Sequence, residues 1–158
     1  MPGGRHDHHE RELAPSPGET PAQAFERRRA RLLRYDIFPP GLMRFGVYPG
    51  GEVTEGALIV QRVGAGRLRL EFAIRVVEVW DRRDSGAADA GFRVVTLRGH
   101  PERGSEIFRL EMDAQGRITF SIDAWSMPGT PLVRLLRPVA RTVQVGATRA
   151  ALRRLADA

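Results

Sequence analysis

The stretch that decides the fold runs from Gly91 to Gln144 and reads GFRVVTLRGHPERGSEIFRLEMDAQGRITFSIDAWSMPGTPLVRLLRPVARTVQ. Residues 92–98, 106–113 and 117–125 each alternate apolar and polar side chains, which is typical of antiparallel strands with one buried face. Ala114–Arg117 contains a glycine and joins the last two segments as a short hairpin turn. A proline-bracketed helical segment follows. This stretch therefore predicts a three-stranded meander and then a helix.

Upstream of the meander, the pattern predicts a helix and a bent strand. Thr20, Pro21 and Gln23 form a capping box with a first-turn proline, which predicts a helix from this point to about Arg34. Its four arginines between residues 27 and 31 are interpreted as a solvated face rather than an anion-binding patch. In the later strand the alternation shifts by one residue at Val76-Val77, which predicts a β-bulge that bends the sheet.

The two ends of the chain differ in composition. Residues 1–19 are rich in glycine, proline and charge, which predicts a flexible tail before a single domain at 20–158. The tail contains three histidines, but without rigid partners they are not expected to form a metal site. At the other end, Val139, Val143 and Ala147 mark one stripe of a long terminal helix. Strands followed by a helix, without βαβ alternation, indicate an α+β fold.

The composition excludes several classes of protein. The chain of 158 residues has no cysteine, so it has neither a disulfide framework nor a thiolate metal site, which fits a cytoplasmic protein. No apolar run approaches the ~20 residues that span a bilayer. The net charge is +6, but every basic residue is arginine and the arginines are not interleaved with stacking aromatics. We therefore expect no nucleic-acid partner, no membrane span and no cofactor, and the oligomeric state is left open.

Several motifs occur in an order that resembles a known family. They are YDIFPP at 35–40, a Trp-Asp strand end at 80–81, GFRVVTLRGHPERGSEIF at 91–108, FSIDAWS at 120–126 and RPVARTVQ at 137–144. In this order they resemble the bacterial and plant family called domain of unknown function nineteen-ninety. Val95 and Ser105 depart from that family's pattern, where Gly and Glu are usual.

The resemblance implies a helix-grip fold of the START-like or birch-allergen-like (SRPBCC) type. In this fold a bent antiparallel sheet, here of about six strands, wraps a long C-terminal helix and leaves an apolar cavity between them. The first functional hypothesis is therefore a module that binds a lipid-like or other apolar small molecule. Its predicted ligand-binding residues are Phe108, Leu110, Phe120, Ile122, Val139, Val143, Ala147 and Arg141. The alternative is that these side chains simply close-pack as core.

A second hypothesis is an enzyme that uses the loop between the first two meander strands. His100 would act as a general acid/base, oriented by Glu102 or Glu106. The chain contains no recognised catalytic motif, and the alternative is a structural loop. A third hypothesis is a protein–protein interaction module with an exposed apolar patch at Ile37, Phe38, Leu42, Phe45 and Tyr48. The alternative is that these side chains cover the core.

Overall fold

The computed structural model describes residues 4–39, 41, 44–65, 68–100, 102–128 and 137–157. Within these residues the chain forms one antiparallel sheet in the order β1-β7-β6-β5-β4-β3-β2 and two helices. The strands are β1 Arg5–Leu13, β2 Arg44–Tyr48, β3 Leu58–Ala65, β4 Leu68–Asp84, β5 Ala87–Thr96, β6 Glu102–Met112 and β7 Ile118–Pro128. Helix α1 is Pro21–Leu33 and helix α2 is Arg137–Ala156.

The first strand corrects the prediction of a flexible tail. Arg5–Leu13 pairs with β7, from Arg5 opposite Ser126 to Leu13 opposite Ile118. Leu13 anchors the strand in the core with 2% of its surface exposed. The composition of this segment predicted disorder because it reflects only how much apolar surface the segment can bury. An edge strand is also stabilised by backbone hydrogen bonds to its neighbour. The sheet consequently has seven strands rather than about six.

The bulge predicted in the long strand is confirmed. Val76 pairs with Val94, whereas Glu78 pairs with Arg93, so Val77 is the extra residue between two successive pairs. Because of this shift, both Val76 and Val79 reach the core side of the sheet.

Helix α1 begins as the sequence predicts. The Thr20 side chain accepts from the backbone amide of Gln23, and the Gln23 side chain accepts from the amide of Thr20. Phe25 and Leu32 are buried, as expected for one apolar stripe, and the helix contacts β5 and β6. Arg28, however, is wrongly placed by the sequence on a solvated face: only 1% of its surface is exposed.

Arg28 binds the carboxyl end of the terminal helix. Its Nε donates to the carbonyl oxygen of Leu155 at 3.0 Å, and one terminal nitrogen donates to that of Ala14 at 2.7 Å and of Ala156 at 3.4 Å. The last carbonyl groups of a helix lack intrahelical hydrogen-bond donors and carry partial negative charge. A guanidinium group supplies both hydrogen-bond donors and a positive charge. Burial lowers the pKa of Arg28, but it remains far above neutrality.

Helix α2 lies against the concave face of the sheet, where it contacts β1 and β7. Its buried face includes Ala151 and Leu155, with Ala147 partly buried against the core. The architecture is thus the predicted α+β arrangement of an antiparallel sheet with a C-terminal helix. Among the described residues, no helix is long and apolar enough to cross a membrane.

We predict that Arg28→Met lowers the free energy of unfolding by about 3 kcal/mol, because it leaves buried carbonyl groups without donors. Arg29→Met, one residue away, removes surface ion pairs with Asp81 and Glu26 and should cost less than about 1 kcal/mol. Urea denaturation of both variants measures the difference. Equal losses would contradict the role assigned to Arg28.

Candidate functional site

The concave face of the sheet has a packed end and an accessible end. In the packed end the inward side chains are buried, and the four predicted ligand-binding residues among them are no more than 1% exposed: Phe108, Leu110, Phe120 and Ile122. In the accessible end the inward residues keep partial exposure to solvent: Phe72, Thr96, Glu102, Gly104, Glu106, Ala124 and Ser126. Glu106 lies opposite Ala124, and Gly104 lies opposite Ser126, where the backbone of Trp125 and Ser126 occupies the place that a side chain at position 104 would take.

Tyr35 lies at the boundary between the two ends. It follows α1 in the left-handed conformation, with φ of 59°, which is uncommon for a bulky residue. Its side chain is fully buried. The ring makes edge-on or tilted contacts of 5.2–6.0 Å between centroids with four phenylalanines: Phe38, Phe45, Phe92 and Phe108. The strained backbone therefore directs a tyrosine into an aromatic cluster instead of toward solvent.

The hydroxyl group of Tyr35 is a fixed polar group inside this cluster. Gln61, itself buried, donates to it from Nε2 at 2.7 Å. Burial raises the pKa of Tyr35 well above its ordinary value, and the nearby Glu106 carboxyl raises it further. The hydroxyl therefore keeps its proton, for which no acceptor is found among the described residues.

Glu106 is the acidic group of the accessible end. It lies between Val94 on β5 and Ala124 on β7. Burial raises the pKa of its carboxyl group from the ordinary 4.5 to about 7, with a further contribution from the negative charge of Glu102. No hydrogen-bond or ion-pair partner for this carboxyl is present in the described part of the chain. Such a group exchanges a proton near neutral pH and is free to contact a ligand.

His100 is held by its own loop. Its Nδ1 lies 2.8 Å from the carbonyl oxygen and 3.2 Å from the amide nitrogen of Glu102, so either tautomer bonds to the backbone. The ring packs on Phe72 with 5.3 Å between centroids, and burial lowers the pKa of His100, which keeps it neutral. The expected orientation of His100 by the Glu102 or Glu106 carboxylate is thus replaced, among the described contacts, by a backbone contact.

The apolar patch predicted between residues 37 and 48 is largely core. Ile37 and Phe38 are 0% and 5% exposed, and Phe45 packs against the core. Tyr48 is 51% exposed, whereas Leu42 lies outside the described residues. The prediction of an exposed patch is wrong for Ile37 and Phe38 because they cover the concave face next to Tyr35.

The remaining predicted residues lie on α2. Ala147 is on its partly buried face, and the side chains of Val139, Arg141 and Val143 lie outside the described part of the structure. The sequence analysis missed Tyr35 and Gln61. One signal was available for Gln61: it continues the inward series of Ala57 and Ile59, so a polar side chain had to enter the interior there.

Two of the three N-terminal histidines, His6 and His8, lie on the opposite, convex face. His6 Nε2 and His8 Nδ1 bond the same Asp123 oxygen at 3.1 and 2.9 Å. These contacts add to the pairing of β1 with β7. Among the described residues there is no group of three or more side chains placed to hold a metal ion.

Comparisons with known proteins agree with this geometry. Residues 2–154 match the family model described as Domain of unknown function (DUF1990). No curated protein matches the chain in sequence.

Similar folds occur among solved structures. Norcoclaurine synthase from Thalictrum flavum, in complex with dopamine and hydroxybenzaldehyde, is 12% identical over 94% of this chain and 84% of that one, with a TM-score of 0.55. Major latex-like protein 151 from Panax ginseng is 11% identical over 98% and 97%, with a TM-score of 0.53. A hypothetical protein from Helicobacter pylori is 10% identical over 98% and 86%, with a TM-score of 0.62. At such identities the likeness shows the fold alone.

We predict that Glu106 makes stability fall as pH rises through its raised pKa. Between pH 4.5 and about 7 the Glu106 carboxyl carries a proton in the folded protein but not in the unfolded chain. The stabilisation that this bound proton provides is therefore full below pH 4.5 and is lost as the pH rises to about 7 and above. Relative to Glu106→Gln, which cannot ionise, the wild-type protein should lose about 2 kcal/mol between pH 5 and pH 8.

Urea denaturation at the two pH values measures this loss. Glu111→Gln is the matched control, because Glu111 is on the same strand, faces outward and pairs with Arg109. A pH profile that is identical in the wild-type protein and Glu106→Gln would show that the carboxyl is not buried as described.

Proposed function

The chain belongs to the DUF1990 family, and on that premise we propose that it binds a mainly apolar small molecule on the concave face of its sheet. The site is the accessible end, next to Tyr35 and Glu106. The molecule would lie between the sheet and the terminal helix, as the helix-grip fold permits.

The observation that carries this proposal is the contrast between the two ends of the concave face. Inward side chains in a protein interior are normally close-packed, as Phe120 and Leu110 are here. Glu106 and Ala124 also point inward, yet they stay partly exposed. Exposure of inward-facing residues implies space that other side chains do not fill, and such space beside a core is the usual place for a ligand.

The lining of this space suits an apolar molecule with a few polar groups. Phe108 and Ile122 would close one end of this space, because they follow Glu106 and Ala124 along the same face of β6 and β7 and are themselves buried. Leu110 and Phe120 continue the packed end beyond them. We propose that α2 supplies the opposite side through the predicted residues Val139, Arg141, Val143 and Ala147. The Tyr35 hydroxyl and the Glu106 carboxyl would fix the orientation of the ligand.

The similar folds support binding of molecules of this size. Norcoclaurine synthase is described in complex with dopamine and hydroxybenzaldehyde, both small and aromatic. A sheet and helix of this architecture therefore accommodate aromatic compounds in at least one protein. The sequences differ too much for the identity of the ligand to be carried over.

A second candidate is general acid/base catalysis in the same space. A carboxyl group whose pKa is about 7 is suited to proton transfer near neutral pH. This observation favours Glu106, rather than His100, as the catalytic group of such an enzyme. We place the protein in the cytoplasm, because a chain without cysteine fits a reducing compartment.

We predict that Ala124→Phe blocks binding by filling the space beside Glu106. The neutral apolar dye N-phenyl-1-naphthylamine should bind the wild-type protein with saturable fluorescence, and Ala124→Phe should weaken its affinity at least about tenfold through steric exclusion. Thr119→Phe adds the same ring to the outward face of β7 and should leave binding unchanged.

Denaturation midpoints of both variants verify that they remain folded. Native mass spectrometry of the protein purified from cells provides an independent measurement of any bound molecule. The proposal fails if the folded wild-type protein binds no dye, or if Thr119→Phe and Ala124→Phe bind it equally well.

A further inference from the structure

Strand β1 forms an open edge of the sheet. It is the first strand in the spatial order, and its backbone pairs with β7 on one side. On its other side no backbone hydrogen bond is present in the described part of the chain. The side chains along this edge are accessible, since His6, His8 and Glu10 keep 62%, 46% and 65% of their surface exposed. An edge of this kind offers backbone donors and acceptors to another strand.

The two edges of the sheet differ in length and composition. At the other edge, β2 has five residues, contains Gly46 and is followed by Pro49. Short edge strands and prolines are common means of preventing edge-to-edge pairing. Strand β1 has nine residues without glycine or proline, and its register with β7 is continuous from Arg5 to Leu13. A regular edge of this length can accept a further strand.

The charges of β1 complement a second copy of the same strand. Residues that face each other in an antiparallel pair lie on the same face of the sheet, so a twofold axis between two copies passes through a residue. With this axis at His9, each carboxylate of one copy faces a basic side chain of the other. The facing pairs are Asp7 with Arg11, His8 with Glu10, His6 with Glu12 and Arg5 with Leu13, and His9 faces its own copy.

The neighbouring registers bring like charges together. An axis at His8 places Arg5 opposite Arg11 of the second copy, and an axis at Asp7 or Glu10 places that carboxylate opposite its own copy. Like charges directly opposite destabilise a pair of strands, whereas opposite charges stabilise it. The pattern therefore favours the register centred on His9, in which all nine residues of the strand are paired.

The charged groups that would form these pairs are available in the single chain. Arg11 and Glu12 are exposed and have no ion-pair partner among the described residues. Arg5 binds Asp7 through one carboxylate oxygen, Oδ1, at 2.9 and 2.7 Å. The second oxygen of Asp7 has no contact within the described residues, so Arg11 of a second copy can bind it without displacing Arg5.

We infer that two copies of this chain associate through β1, which pairs antiparallel with itself about a twofold axis at His9 and joins the two sheets into one. The partner is a second copy because the strand complements its own charge pattern. This interface is separate from the ligand site of the proposed function and does not depend on it. Because only nine residues from each copy take part, the dissociation constant should be about micromolar or weaker.

An exchange of charge between two variants tests this register. Sedimentation velocity at concentrations up to about 0.5 mM should show the wild-type protein in equilibrium between monomer and dimer. Arg11→Asp and Asp7→Arg should each weaken the dimer at least about tenfold, because like charges then face each other at two places. An equimolar mixture of the two variants should restore the dimer, since both facing pairs are again oppositely charged.

Arg44→Asp is the matched control, because it makes the same change of charge on β2 at the other edge of the sheet. It should leave the dimer intact, and denaturation midpoints verify that each variant is folded. A wild-type protein that stays monomeric throughout the series overturns the inference. A mixture that dimerises no better than its separate components does so too, as does an equal loss of dimer in Arg44→Asp.

Hydrogen exchange locates the interface without any substitution. As the protein concentration rises, the amides of β1 should become more protected, because those on the open side gain hydrogen bonds in the dimer, while the amides of β2 should not change. Protection that appears on another element instead of β1 would show a different interface and contradict the pairing.

Discussion

The guanidinium group of Arg28 holds three distant parts of the chain together. From the middle of α1 it donates to the end of α2 and to the residue that follows β1. Without it, the terminal carbonyls of α2 would be buried without donors. A bond that joins residues 127 positions apart in sequence fixes where the last helix ends on the sheet. The packed end of the concave face forms around this contact, and the accessible end lies beyond it.

The shape of the sheet supports this division. The bulge at Val77 bends β4, and Gly104 lets β6 and β7 approach closely, because a side chain there would clash with the carbonyl oxygen of Trp125. Close approach and curvature create a concave surface that α1 and α2 cover at one end with large apolar side chains. At the other end the inward residues of β6 and β7 include Gly104 and Ala124, and Glu106 and Ala124 keep partial exposure to solvent.

The polar residues of the accessible end lower stability. A partly buried carboxyl group without a described cationic partner destabilises the folded state at neutral pH, as its raised pKa indicates. The left-handed backbone of Tyr35 adds strain in the same region. Both unfavourable features lie beside the aromatic cluster of Tyr35, and a leucine at position 106 would stabilise the fold better than this carboxyl group.

Local patterns in the sequence determined the meander, the capping box of α1, the bulge and the α+β class. Each depends on side-chain alternation or on residues a few positions apart, which backbone geometry converts directly into a strand or a helix end. Four features were decided only by the tertiary structure: the pairing of β1, the burial of Arg28, the entry of Tyr35 into the core and the raised pKa of Glu106. In the sequence these residues look solvent-exposed or belong to no regular pattern. Whether a polar group is buried, and which groups it then contacts, depends on segments that are distant along the chain and become adjacent only after folding.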